Sequence, residues 1–240
     1  MSKKNNGEDI MPEIKVNMQD LSNLLSCAKL YMDEATIRIG NGFAEVLEVD
    51  ATHTQMLHGK IICDCEPCEI PVNLEKLIKA ISAAGKDNAT MEFQDGILTI
   101  RGAHSRIKVP TIYKESNFKW PAAFGDDAPA TGQISPSLLA PMLSYGLYTN
   151  SGAAKFSIRD SKLTVEIGKS PDISEITSPD PATGESVVNI DLAYLDMLIK
   201  YVKGVPTVTV CAYGDDKPIL FKWAEGTGDF RVLIAPRIED

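Results

Sequence analysis

The chain of 240 residues is 44% hydrophobic and 24% charged, with a formal net charge of −9. It has no run of about 18 apolar residues, which excludes a membrane-spanning helix. Its acidity argues against a simple DNA-binding domain, because phosphate neutralisation by a basic surface supplies most of such a domain's affinity. That objection lapses only where enclosure holds the DNA and the basic residues gather on an inner face.

In chain order, residues 1–11 are polar, lack the apolar core of a secretory signal and read as a disordered tail, so an intracellular protein is expected. The first predicted helix covers 18–30, where Leu21, Leu24, Leu25 and Ala28 share one face at i, i+3, i+4, i+7 spacing. Alternating strands are predicted over 35–39 and 43–49, joined by the hairpin turn Gly40-Asn41-Gly42.

Three of the five cysteines, Cys63, Cys65 and Cys68, crowd together after His58. An odd, clustered set argues against a disulfide framework. The cluster could furnish three thiolates with His58 as a fourth ligand, yet a closed zinc site draws paired ligands from two separated segments. Ordinary thiols are the expectation, with a local disulfide as the alternative; no metal and no cofactor are expected.

Val72-Asn73-Leu74-Glu75 opens a second amphipathic helix that runs to Ala84. Leu74, Leu77, Ile78 and Ile81 form its apolar side, opposite Lys76 and Lys79. Strands over 89–93, 97–102 and 107–110 follow. Residues 114–132, with Pro121, Gly125, Asp126, Asp127 and Pro129, mark a connector. Its Phe118, Trp120 and Phe124 are unusually apolar for a linker; they pack on a sheet surface, help line a docking groove, or do both.

The second half then repeats the first. A helix over 135–147 aligns Leu138, Leu139, Met142 and Leu143, and strands over 154–159 and 162–167 turn at Asp160-Ser161. Val188-Asn189-Ile190-Asp191 opens a helix ending at Val202, and strands over 207–212, 218–223 and 232–236 close the chain. A repeat of this length means two similar domains and not a solenoid of short units. The class is α+β, with a tail (1–11), a first domain (12–114), a connector (115–132) and a second domain (133–240).

No phosphate-binding G-x-x-x-x-G-K-[ST] loop, G-x-S-x-G elbow or H-E-x-x-H pair occurs. His53, His58 and His104 are each conceivable general bases, but no constellation supports an enzyme. No catalytic residue is expected.

Four segments carry a family resemblance. The ending Leu233-Ile234-Ala235-Pro236-Arg237-Ile238-Glu239-Asp240 resembles the carboxyl terminus of proliferating cell nuclear antigen (PCNA) sliding clamps, particularly archaeal ones. Val49-Asp50-Ala51-Thr52-His53-Thr54-Gln55-Met56 resembles the loop after that family's second strand. Val72-Asn73-Leu74 resembles the start of its second helix, and Asp216-Lys217-Pro218-Ile219-Leu220 a hairpin near its terminus. The match is collinear over 12–240 and poor over 115–190.

The resemblance implies the DNA-clamp (processivity) fold: two similar domains, each with two helices packed on antiparallel sheets. Three such chains would close a ring around double-stranded DNA, in cytoplasm and nucleoid if archaeal or nucleus if eukaryotic. The ring would tether DNA polymerase, clamp loader, flap nuclease and ligase through short peptides bearing glutamine and aromatic anchors. Lys29, Lys76, Lys79, Lys86, Lys200 and Lys203 would meet phosphates without reading bases. The third helix has no basic residue, which implies a weaker contact there.

The partner groove would be lined by Val49, Met56, Pro218, Leu233, Ala235, Pro236 and Ile238, joined by Trp120 or Phe124. Arg106 and Lys108 on the last strand of the first domain, with Asp172 and Glu175 on an edge of the second, would favour head-to-tail pairing. Two other readings stand beside this one: an acidic two-domain interaction scaffold that never closes, and a checkpoint-type clamp subunit serving DNA repair.

Overall fold

The computed structural model describes residues 13–85, 89–114, 118–202 and 204–237. One succession of elements occurs twice. The first half holds β1 (Glu13–Val16), α1 (Met18–Lys29), β2 (Glu34–Gly40), β3 (Phe43–Val49), β4 (Gln55–Asp64), β5 (Cys68–Asn73), α2 (Leu74–Ala84), β6 (Thr90–Gln94), β7 (Ile97–Arg101) and β8 (Arg106–Pro110). The second holds β9 (Ala130–Ile134), α3 (Pro136–Tyr148), β10 (Ala153–Arg159), β11 (Lys162–Lys169), β12 (Asp172–Thr177), β13 (Ser186–Asp191), α4 (Leu192–Val202), β14 (Val208–Ala212), β15 (Ile219–Glu225) and β16 (Gly228–Ile234). Among the described residues no helix is long and apolar enough to cross a membrane.

Local chemistry explains the boundaries. The Asn17 and Asn73 side chains accept amide N–H bonds from the first turns of α1 and α2, supplying the acceptors those turns lack. Both anticipated hairpin turns use left-handed backbone at both central positions: Asn41 and Gly42 (φ 53° and 82°), Asp160 and Ser161 (φ 51° and 59°).

Each half also opens with a strand that periodicity does not reveal. β1 has only four residues, too few for alternation to register. β9 begins at Ala130, inside the expected connector, and pairs with β14 from Ala130↔Ala212 to Ile134↔Val208. Gly132 there is a packing residue as well as a linker marker: a Cβ on it would lie 2.9 Å from that of Leu163.

The strand order β8-β7-β6-β1-β4-β16-β15-β14-β9 forms one large sheet, with β3, β2 and β5 attached through β4; β12-β11-β10-β13 forms a second. The halves join where β4 pairs antiparallel with β16, from Gln55↔Ile234 to Lys60↔Asp229. Among the described residues β8 pairs with β7 alone and β12 with β11 alone, so each leaves one edge open.

The helices form one row on one face. α1 packs on α2 and α3 on α4, and the Tyr201 hydroxyl of α4 donates to the Asn23 carbonyl of α1 at 2.8 Å. The order is therefore α2–α1–α4–α3. Between helices and sheets lies a continuous apolar core that includes Leu21, Leu24, Leu25, Leu57, Leu77, Phe156, Leu195 and Phe221.

Candidate functional site

Strand β4 separates two faces by its alternation. Leu57, Gly59 and Ile61 are buried toward α1 while Met56, His58 and Lys60 point outward. A Cβ on Gly59 would collide with Leu24 of α1 at 2.3 Å, so glycine lets the helix seat. On the outward face, register aligns Met56, Leu233, Leu220 and Cys211 across β4, β16, β15 and β14. The connector crosses this apolar row.

A groove of about 290 Å³ opens beside the connector. It brings together the expected Val49, Met56, Pro218, Leu233 and Ala235 with Gln55 and the loop residues His53 and Thr54. Asp50 fixes that loop. Its carboxylate accepts the Thr54 and Gln55 amides at 2.8 Å each and the Thr54 hydroxyl at 3.0 Å, and it also bonds the Thr52 hydroxyl. Burial would raise the Asp50 carboxyl, but these hydrogen bonds together outweigh it and hold it below its usual range.

From the connector, Phe118 and Pro121 line the groove, and the expected Trp120 and Phe124 do not. The Trp120 indole N–H donates to the Phe124 carbonyl at 2.7 Å, curling the chain through a 3-10 turn at Ala122–Phe124. Both rings thereby turn down onto Cys211, Leu220 and Leu233, and Phe124 meets Tyr213 edge-on at 5.1 Å. Pro236 is half-buried outside the groove lining, and Ile238 lies outside the described residues.

The candidate phosphate-facing lysines lie on the helix row, on the side of the sheet away from the connector. Lys76, Lys79 and Lys200 are exposed and Lys29 is half-buried; Lys86 and Lys203 lie outside the described residues. Lys79 pairs with Glu75 at 2.5 Å and Lys200 with Asp196 at 2.6 Å, each one turn away, and Lys29 pairs with Asp33. Among the described residues Lys76 has no ion pair. As expected from sequence, α3 adds no charge: its exposed side chains are Ser137, Pro141, Ser144, Tyr145, Leu147 and Tyr148.

The remaining candidates occupy the open edges. Arg106 and Lys108 are exposed on β8, and Asp172 and Glu175 are exposed on β12 beside Ile173. Across β11, Glu175 faces Glu166, whose carboxylate is engaged by Lys155 at 3.1 Å.

All five cysteines are free thiols. Burial pushes Cys63 and Cys68 up to about 11 and raises Cys65 as well, so near neutral pH the cluster is protonated and poor in thiolate. Among the described residues no group of three His, Cys, Asp or Glu is placed to hold a metal ion. His53 and His104 are exposed. His58 bonds Glu45 through Nε2 at 3.0 Å, and its Nδ1 takes the Arg231 guanidinium at 2.8 and 2.6 Å. That arrangement orients a guanidinium, and it holds no nucleophile.

Solved structures share this fold over nearly the whole chain. A chain of the PCNA2–PCNA3 complex from Sulfolobus tokodaii aligns with a TM-score of 0.77 at 15% identity, covering 95% of this chain and 99% of that one. Proliferating cellular nuclear antigen from Entamoeba histolytica aligns with a TM-score of 0.79 at 11% identity, covering 95% and 99%. A. fulgidus PCNA bound to the C-terminal region of FEN-1 aligns with a TM-score of 0.79 at 15% identity, covering 96% and 100%. The chain has the PCNA fold. No family model matches it, and no curated protein does.

Proposed function

We propose that this chain is a subunit of a DNA sliding clamp: three copies close head to tail around duplex DNA, and the outer groove tethers replication and repair enzymes. The carrying observation is the relation between the internal seam and the two open edges. β8 holds the place in the first half that β16 holds in the second, and β12 the place that β4 holds in the first. The β4–β16 seam repeated between copies would therefore set β12 of one chain against β8 of the next. Asp172 and Glu175 would then oppose Arg106 and Lys108, whereas two like edges would repel. Six domains from three chains give a closed ring in which the β8 and β12 edges are both paired.

In that ring the helix row is the wall nearest the DNA, where Lys29, Lys76, Lys79 and Lys200 stand, three of them beside a carboxylate one turn away. Enclosure replaces affinity, and the net charge of −9 ceases to be an objection. Clients such as DNA polymerase, clamp loader, flap nuclease and ligase would seat a short peptide with glutamine and aromatic anchors in the groove beside Phe118; that the C-terminal region of FEN-1 is bound to A. fulgidus PCNA supports a flap nuclease among them. The protein then works without catalysis, as a tether.

Light scattering on the purified chain tests closure: three times the 26.1 kDa chain mass is expected, falling to the single-chain mass when Arg106 and Lys108 are both replaced by Glu. A wild-type monomer, which is what an open acidic scaffold would give, refutes the homotrimer. Loading onto circular DNA tests enclosure, because a ring should be retained on the circle and lost once the DNA is cut.

A further inference from the structure

On the far side of the connector from the apolar groove, the outward face of the sheet holds a second cleft of about 570 Å³. Strand register places His58 beside Arg231, and Arg231 beside Lys222. Lys60 lies one outward position farther along β4 and also lines the cleft. Like charges directly opposite each other on neighbouring strands destabilise a sheet, and Asp126 of the connector lies against Lys222 here. In a chain with nine excess negative charges, three cations gathered in one cleft run against the overall balance.

Their present partners do not complete them. The Arg231 guanidinium stacks on the Trp120 ring, 4.2 Å from its centroid, and donates to His58, which Glu45 holds in place. Among the described residues it has no carboxylate within ion-pair distance. Lys60 sits 3.6 Å above the Phe43 ring and likewise has no ion pair among the described residues. Lys222 reaches the Asp126 carboxylate at 3.1 Å, but that side chain is 81% exposed on the connector. Among the described residues Asp229 is the only other carboxylate lining the cleft. Three cations thus face Asp126 and Asp229 in the cleft and Glu45 at its rim, and of these three carboxylates only Asp126 belongs to the connector.

We propose that this cleft binds an acidic peptide segment of a partner protein, whose carboxylate replaces the exposed connector residue Asp126 on Lys222, beside Arg231. A peptide is favoured over a small anion by continuity. His58 and Arg231 lie two residues from Met56 and Leu233 on the same face of the same strands, roughly 7 Å away. A chain anchored in the apolar groove can therefore continue across the connector into the cationic one. The inference needs neither ring closure nor DNA.

The test is fluorescence anisotropy of a short labelled oligoglutamate peptide with the full chain at low salt, with oligoglutamine as control. Oligoglutamate should bind and oligoglutamine should not. Lys222→Gln and Lys60→Gln should each weaken binding by roughly fivefold, the upper end for a solvent-exposed ion pair. Asp126→Asn should tighten it, while Asp127→Asn, with the same change in net charge on the neighbouring connector residue, should not. Equal effects of Asp126→Asn and Asp127→Asn, or an equal loss with Lys162→Gln on distant β11, would overturn the proposal in favour of general surface attraction. Complete displacement by equimolar inorganic phosphate would overturn it in favour of a simple phosphate site.

Discussion

Replacing Lys114 with Met should loosen the point where the first half hands over to the connector. Glu48 is 1% exposed; its Oε1 accepts the Thr36 amide at 2.9 Å and its Oε2 lies 3.1 Å from the Lys114 ammonium. The same ammonium donates to the Glu34 carbonyl at 2.5 Å. Among the described residues, removing the cation leaves a buried carboxylate with one hydrogen bond and no counter-charge. Breaking such a pair from one side costs about 3 kcal/mol, or about 6–12 °C in melting temperature at roughly 2–4 °C per kcal/mol for a chain of this size.

Urea unfolding followed by tryptophan fluorescence, at one fixed protein concentration because assembly shifts apparent stability, measures the loss. Adding Glu48→Gln to Lys114→Met removes the stranded charge while its amide oxygen still accepts from Thr36, so the double variant should recover at least half. A loss below about 1 kcal/mol for the single variant, or a double variant no more stable than the single, refutes the reasoning.

Acidification should destabilise the outer face. Burial, aided by Arg231 and opposed by Glu45, lowers the His58 pKa, so the folded protein takes up its proton later than the unfolded chain does. Stability is fully present above the ordinary histidine value of about 6.5 and is lost as pH falls from there through the lower folded value; unfolding midpoints across that window should fall, and His58→Gln should flatten the trend. Phe118→Ala should weaken a glutamine-and-aromatic client peptide by about tenfold in calorimetry without moving the unfolding midpoint, since Phe118 is only half-buried. Replacing Lys76, Lys79 and Lys200 together with Gln should make retention on circular DNA less salt-dependent, each lost phosphate contact removing about 0.9 from the log–log slope.

The sequence makes the regular parts of this molecule legible. Leu21, Leu24, Leu25 and Ala28 mark α1 because one buried stripe must recur every 3.6 residues, and the pairs Glu75–Lys79 and Asp196–Lys200 follow from i, i+4 spacing alone. The connector is different. It has no period, so nothing local tells which of Phe118, Trp120 and Phe124 faces the groove; that depends on the bond from Trp120 to the Phe124 carbonyl. The Glu45–His58–Arg231 chain escapes inspection for another reason. His58 and Arg231 are 173 positions apart, and only the β4–β16 register makes them neighbours.

The tethered acids beside Lys29, Lys79 and Lys200 have a consequence for motion. A polyanion reaching one of these lysines exchanges one oxygen anion for another at similar distance, so the net gain at each stop is small. Lys76 alone among the described helix lysines meets it without a resident rival. A duplex travelling past such a wall would encounter shallow, nearly level wells, which favours drift along its axis over arrest at any single phosphate.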